Sequence, residues 1–405
     1  MINGKYIFNK LKDVKMEDYL AFFPMMFAIL LSPIFRKKYE DVWLICEEPK
    51  EARDNGYHFF KYVNMMHPEK ICFYAIKKKA VDYEKVKKIG RVVEYGSIKH
   101  WIIYFTCKYN ISSQKGGKPN AAICAFMELL GIFKVKNVFL QHGIIINDCK
   151  WLYAECSRIY RFIVSTIPEK QFVKEKFGYS EKELLLTGMP RQDALHNIEL
   201  KSNRILIMPT WRYWFNLNSQ KHEDTDRNVK HSEYLNKWKE LLLHPEIQKL
   251  IKIKGYEVIF YPHRNMQKYL DIFRNIGSEV KIASGEEYDI QELLKTSAIM
   301  ITDYSSVFFD MVYMKKPVIF YQFDEEKYRK YQYSEGYFDY HNNPFGKTYA
   351  TCEGVIRELK EQIERNYKPS KEYLHEHQRI FKYWDDKNSE RIFEALKTAE
   401  NLERV

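Results

Sequence analysis

The chain has 405 residues, 45% hydrophobic and 16% aromatic, and 65 Lys and Arg against 54 Asp and Glu give a net charge of +11. That length suits two domains, and the apolar content excludes a disordered tail. The charge asks for an anionic partner, a phosphorylated substrate or an anionic lipid surface; nucleic acid is not expected, because the chain has no Arg-rich tail, zinc-finger spacing or RNA-recognition consensus.

Taken in chain order, the first feature is LAFFPMMFAILLSPIF, Leu20 to Phe35, 16 residues with two prolines. It is short for a span of roughly 20 residues and lacks a small-residue cleavage pattern. Lys10, Lys12 and Lys15 precede it, and Arg36, Lys37 and Lys38 follow. An apolar segment with cationic edges suits the headgroup region of an anionic leaflet; a buried helix is the competing reading. The seven cysteines form no C-x-x-C pair, which suits reduced thiols of a cytosolic protein and no metal site.

Nine short apolar runs follow, each ending in polar residues: 42–46, 71–75, 137–143, 161–166, 183–188, 204–212, 257–264, 298–306 and 317–324. Most precede amphipathic stretches of helical length. This pattern predicts parallel strands covered on both faces, with ligands outside their carboxyl ends. The expected architecture is α/β with two Rossmann-like doubly wound halves facing a cleft. The expected segments are 1–40, membrane-proximal; 41–195; 196–365; and 366–405, ending in a helix capped by Asn388 or Ser389. The polar stretch 196–203 marks the boundary, and 216–233 reads as a mobile loop.

Five strand ends carry chemistry. In AIMITDYSSVFFD, Thr302 and Asp303 close a strand, and Ser305 and Ser306 stand where a helix begins. That reads equally as a phosphate cradle or as plain N-capping. Asp303 would repel phosphate, so it is expected to orient backbone or a hydroxyl. FYPHR brings His263 and Arg264 together, a pair suited to phosphate. MPTWR brings Thr210 and Arg212. FLQHG brings His142, a candidate general base, beside Gly143, where backbone can approach a ligand. In TGMPRQD, Arg191 and Asp193 are left open.

ARDNGYHFFKY (52–62), LQHG, TGMPRQD, MPTWR, YPHR, ITDYSSVFFD and KPVIFY, in this order, resemble the CDP-glycerol glycerophosphotransferases, the primases and polymerases of wall teichoic acid and related capsule enzymes. The resemblance runs from about residue 40 to 340. It implies a GT-B-type fold, peripheral association with the cytoplasmic face of the membrane, and transfer of a polyol phosphate from a CDP-linked donor to an undecaprenyl-type lipid-linked acceptor, releasing CMP. It further implies that His142 is the base and that His263, Ser305 and Ser306 hold the donor pyrophosphate, with Arg212 beside them. Arg264, Thr302 and Asp303 complete the expected donor set, and Glu286 or Glu287 is a candidate for the donor ribose, with Glu287 placed in the set. Gly143, Asn147 and Asp148 are placed on the acceptor side. The chain has Gln141 where the family often shows Trp before His-Gly, and HGIIIND in place of HGTPLK.

No cofactor and no obligatory metal is expected, since Arg, His and a helix N-terminus can carry the charge work. Two other readings remain: a GT-B glycosyltransferase using a nucleotide sugar, and a non-catalytic binding protein at the membrane surface. The polyol, the acceptor and the oligomeric state are not written in the sequence.

Overall fold

Trp43, Leu44, Ile45 and Cys46 are all fully buried, as only a strand covered on both faces would be. They form β1 (Trp43–Cys46) in a computed structural model that describes residues 16–198, 203–217 and 229–404. The chain divides into two compact units. One comprises Met1–Ile144, Cys149–Ala194 and Phe381–Val405; the other comprises Ile145–Asp148 and Leu195–Ile380. The segment expected as one piece over 366–405 is thus shared between them.

In the first unit, β1 joins β2 (Cys72–Ile76), β3 (Arg91–Glu94), β4 (Tyr109–Ser112), β5 (Asn137–Phe139), β6 (Ile159–Val164) and β7 (Leu184–Leu186). The order is β3-β2-β1-β4-β5-β6-β7, and every pairing is parallel; Trp43 lies opposite both Cys72 and Tyr109. In the second unit, β8 (Arg204–Met208), β9 (Glu257–Phe260), β10 (Lys281–Ile282), β11 (Ile299–Thr302), β12 (Val318–Tyr321) and β13 (Gly346–Tyr349) run parallel in the order β10-β9-β8-β11-β12-β13. Both are Rossmann-like sheets of the GT-B-like class. Each reverses direction once, between β1 and β4 and between β8 and β11. Loops leaving those strand ends diverge and open a crevice.

Three of the first unit's helices stand out. The first, α1 (Phe22–Tyr39), buries Met25 and Ala28 but leaves Phe23, Leu30 and Ile34 at least 70% exposed. It is neither a buried helix nor a span: among the described residues, no helix is long and apolar enough to cross a membrane. The second, α2 (Asn55–Met66), follows β1 and is capped by Asp54, whose carboxylate accepts from the Asn55 amide. The last, α3 (Asn388–Arg404), seals the first sheet: Phe393 lies 5.2 Å from Trp43, and Glu400 accepts from the Trp43 indole. Its cap is not its own. Asp193 accepts from the Asn388 and Ser389 amides at 2.7 and 3.0 Å, which settles one residue left open by the sequence.

The nine apolar runs all contain strands. The four strands not read from sequence are β3, β10 and β13 at sheet edges, and β4 in the middle of the first sheet. Lys10, Lys12, Lys15, most of the 216–233 loop and the centre of the 196–203 boundary lie outside the described residues.

Candidate functional site

At the reversal point of the first sheet, a charged residue follows the most buried strand. Glu47 comes directly after β1 and is only 3% exposed. Its carboxylate accepts from the Gly56 amide and the Ser113 hydroxyl, both at 2.6 Å, and from the Tyr74 hydroxyl at 2.5 Å. Ser113 leaves β4, so this bond ties the two strands that flank the crevice. Gly56 has to be glycine here, since a Cβ would come within 2.7 Å of Glu47.

Burial, and then the charge of Asp54, push the Glu47 carboxyl up to about 7 against the pull of its three donors. The folded chain therefore keeps a proton that the unfolded chain releases above about 4.5, and the stability this group contributes falls as pH rises through that window. Glu47→Gln is expected to flatten the pH dependence of unfolding between those limits. A slope unchanged in the variant would assign the titration to another group.

Beyond β5 the backbone is gripped at two successive carbonyls. The Asn55 side chain donates to the Gln141 carbonyl at 2.7 Å, and the Arg191 guanidinium donates to the His142 carbonyl at 2.5 Å. Arg191 also pairs with Asp54 at 2.8 Å, and its amide donates to Asn55. Between these clamps Gln141 has φ +64, a left-handed conformation that costs a non-glycine residue about 1–3 kcal/mol. Its own side chain holds it there, donating to the Ile163 carbonyl and to Glu169.

The turn brings out His142, which is exposed while its neighbours Gln141 and Gly143 are buried. Protein packed around the ring lowers its pKa; Asp54 pulls it up and Arg191 down. A hydrogen bond to the Ser113 backbone fixes the ring. An imidazole whose N–H donates to a carbonyl keeps its other nitrogen as an acceptor, as a general base requires. Glu47, Asn55 and Ser113 were not singled out from sequence; the signal was the acid directly behind a fully apolar strand.

The second unit repeats the geometry. Thr302 donates to the Met208 carbonyl at 2.7 Å, locking β11 to β8. Asp303 accepts from the Thr210 and Tyr304 amides at 2.8 and 2.7 Å. Both residues are fully buried, so they shape the crevice rather than line it. Asp303 orients backbone, and the hydroxyl of Thr302 is likewise spent on a backbone carbonyl. Arg212 departs furthest from expectation. It is 0% exposed, forks onto Asp324 at 2.7 and 3.0 Å, and reaches Asp303 at 2.7 Å. Burial opposes its charge, but Asp303 and Asp324 outweigh that. Its guanidinium is committed to protein carboxylates and does not face the crevice.

What lines this strand edge is partly exposed. His263 caps a 3-10 turn, accepting from the Asn265 amide at 3.2 Å, and stacks on Trp211 with ring centroids 6.3 Å apart. Arg264 is exposed beside it. Ser305 and Ser306 are half-buried, and the Ser305 hydroxyl accepts from the Val307 amide at 3.4 Å. The helix after them spans only Phe308–Tyr313, so it begins later and ends sooner than its apolar period suggested. Glu287 is exposed, accepting from the Ser284 hydroxyl at 2.9 Å.

Asn147 and Asp148 are grouped with the second unit, and His142 and Gly143 with the first. Residues 145–148 belong to the second unit: Asn147 accepts from Arg329 at 2.9 Å, and Asp148 forms an isolated antiparallel bridge with Ser334. Among the described residues, no group of three or more His, Cys, Asp and Glu is placed to hold a metal ion.

Residues 25–398 match the family model described as CDP-Glycerol:Poly(glycerophosphate) glycerophosphotransferase. The minor teichoic acid biosynthesis protein GgaB of Bacillus subtilis is 31% identical over 380 residues, covering 91% of this chain and 41% of that protein. The teichoic acid glycerol-phosphate primase of the same organism is 29% identical over 56% of this chain and 54% of its own length. The chain thus spans about half or less of these relatives. Among solved structures, a variant of the wall teichoic acid polymerase TagF superposes with a TM-score of 0.66 at 17% identity, over 97% of this chain and 100% of that one.

Proposed function

The chain belongs to the CDP-glycerol:poly(glycerophosphate) glycerophosphotransferase family, and from that premise we propose that it transfers glycerol phosphate from CDP-glycerol to a hydroxyl of a polymer or lipid-linked saccharide acceptor, releasing CMP, in teichoic acid or capsule-type synthesis. The observation that carries the reading is His142, exposed on a clamped turn with its ring held by the Ser113 backbone. In the proposed step the acceptor oxygen bonds to the β-phosphorus as the bond to CMP breaks, and the hydroxyl proton passes to His142. His263, Arg264, Ser305 and Ser306 supply donors for the pyrophosphate, and Glu287 is kept as the ribose contact. Arg212, Thr302 and Asp303 act indirectly, by fixing the loops that carry those donors. This is catalysis by positioning and electrostatic stabilisation.

The test is CMP release by purified protein offered CDP-glycerol, CDP-ribitol or UDP-glucose with a lipid-linked disaccharide. Acceptor-dependent CMP from one CDP donor is expected; turnover of the sugar nucleotide alone would replace this reading with a glycosyltransferase. Undiminished turnover in EDTA is expected as well, and loss restored by magnesium would add a metal to the scheme.

The proposed location is peripheral, at the cytoplasmic face of an anionic membrane. It is supported by the exposed Phe23, Phe27, Leu30 and Ile34 of α1 together with exposed Arg36, Lys37 and Lys38 at its end. Sedimentation with anionic vesicles is expected to fall at least tenfold in Phe23→Glu/Leu30→Glu, since each buried aromatic or leucine contributes about 1.5–3 kcal/mol. Equal binding to neutral vesicles would remove the electrostatic part.

A further inference from the structure

We propose that the first unit holds a seat for the phosphorylated polyol or saccharide portion of the acceptor, in a cavity behind the loop after β4 that nothing in the family reading assigns. This rests on the proposed transfer reaction for its role, though not for its ligand chemistry.

The cavity has a volume of about 330 Å³ and lies between the loop after β4, the helix Ala121–Leu129 and the segment 151–158. Its lining combines three kinds of surface. Lys115, Lys118 and Arg158 are cationic against a single acid, Glu128, which pairs with Lys118. Ala122, Ala125 and Trp151 supply apolar surface to the lining. Lys115 straps the loop to the far wall, donating to the Trp151 and Cys156 carbonyls at 2.5 and 2.8 Å, with its ammonium 5.8 Å from the Trp151 ring centroid.

A smaller space of about 20 Å³ shares Lys115, Lys118 and Arg158 with the cavity and is lined by Asn110. Asn110 is 1% exposed; its amide donates to the Gly117 carbonyl and to Asn137, and its Oδ1 has no hydrogen-bond partner. A buried acceptor left open calls for an O–H or N–H, directly or through one water.

Each surface selects a feature of the ligand. Arg158 selects an anion, since Lys118 is taken up by Glu128 and Lys115 by the Trp151 and Cys156 carbonyls; the open acceptor selects a hydroxyl through one water, and Ala122, Ala125 and Trp151 a carbon face or sugar ring. A phosphorylated polyol or saccharide has all three. The cavity also has the right neighbour. Ser113, which holds His142, is two residues from Lys115, so their Cα atoms are at most about 7 Å apart. On the membrane side, Asn120, which caps the alanine helix, donates to Asp18 at 2.8 Å, just before α1. A lipid-linked acceptor seated here has its anionic portion between the exposed face of α1 and the base.

The test uses the full chain and two variants, Ala125→Phe to fill the cavity and Arg158→Glu to reverse an exposed charge on its lining. Oligo(glycerol phosphate) binding, measured by calorimetry without donor, is expected to weaken roughly tenfold or more in each, the effect of losing a charge-assisted contact or the space for the chain. In turnover, the acceptor KM is expected to rise similarly while the donor KM stays put. If the wild type does not bind the oligomer at millimolar concentration, or both variants bind it as the wild type does, the seat is elsewhere. If no CDP donor turns over yet the oligomer binds and both variants lose it, the transfer reading fails and the site stands.

Discussion

Replacing His142 with alanine is expected to lower turnover by about a hundred- to ten-thousand-fold, the usual contribution of a positioned general base. Donor affinity should stay near the wild-type value, because every group proposed to hold the donor belongs to the second unit. Stability should fall by no more than about 1.5 kcal/mol, the worth of the one hydrogen bond the ring gives up. That combination separates a catalytic role from a structural one. The clamps around the turn predict a companion result. Asn55→Ala removes the donor to the Gln141 carbonyl and the acceptor of the Arg191 amide. It should depress turnover through misplacement of His142 and also reduce stability by about 1–3 kcal/mol, because the partners it leaves are buried. Single-turnover rates with saturating donor, beside urea unfolding curves, report both. Full activity in His142→Ala would end the base assignment, whatever the behaviour of Asn55→Ala.

What the sequence made legible comes from where parallel sheets put things. A strand buried on both faces is a continuous apolar run, and its carboxyl end is where the chain turns polar; His142, His263 and Ser305 were all found there. β4, Tyr-Asn-Ile-Ser, was missed although all four residues are buried, because Asn110 and Ser112 make it look like a loop. β3 and β10, at the sheet edges, carry exposed residues that interrupt the apolar pattern, and β13, Gly-Lys-Thr-Tyr, has no apolar run at all.

The candidate site was legible by residue type and less so by role. His142 stands just past a strand end, where the chain turns polar and the residue is exposed. Glu47 has no local motif, and its meaning depends on Gly56, Tyr74 and Ser113, which the fold brings together from separate elements. Asn147 follows His142 closely in sequence, yet its hydrogen bond is to Arg329, 182 residues away. Proximity along the chain is a poor guide where the backbone leaves one compact unit for another.

Arg212 shows the same limit at its sharpest and carries the second large prediction. An arginine at a strand end reads identically whether its fork meets a phosphate or a carboxylate. Here it meets Asp324, 112 residues on, and Asp303, 91 residues on. Removing one partner from a buried charged cluster leaves the others uncompensated, at a typical cost of about 3–5 kcal/mol. Arg212→Met is therefore expected to lower the urea midpoint of the second unit and to lose donor binding only as that unit unfolds. Adding Asp303→Asn and Asp324→Asn should recover much of the stability, because the stranded carboxylates are then neutral. Donor-induced stabilisation, measured below the unfolding transition, distinguishes support from contact. A folded Arg212→Met chain with wild-type stability and no donor affinity would put the guanidinium on the phosphates after all. A destabilised chain that still binds donor when cooled into its folded state would fix Arg212 as the brace between β8, β11 and the loop after β12.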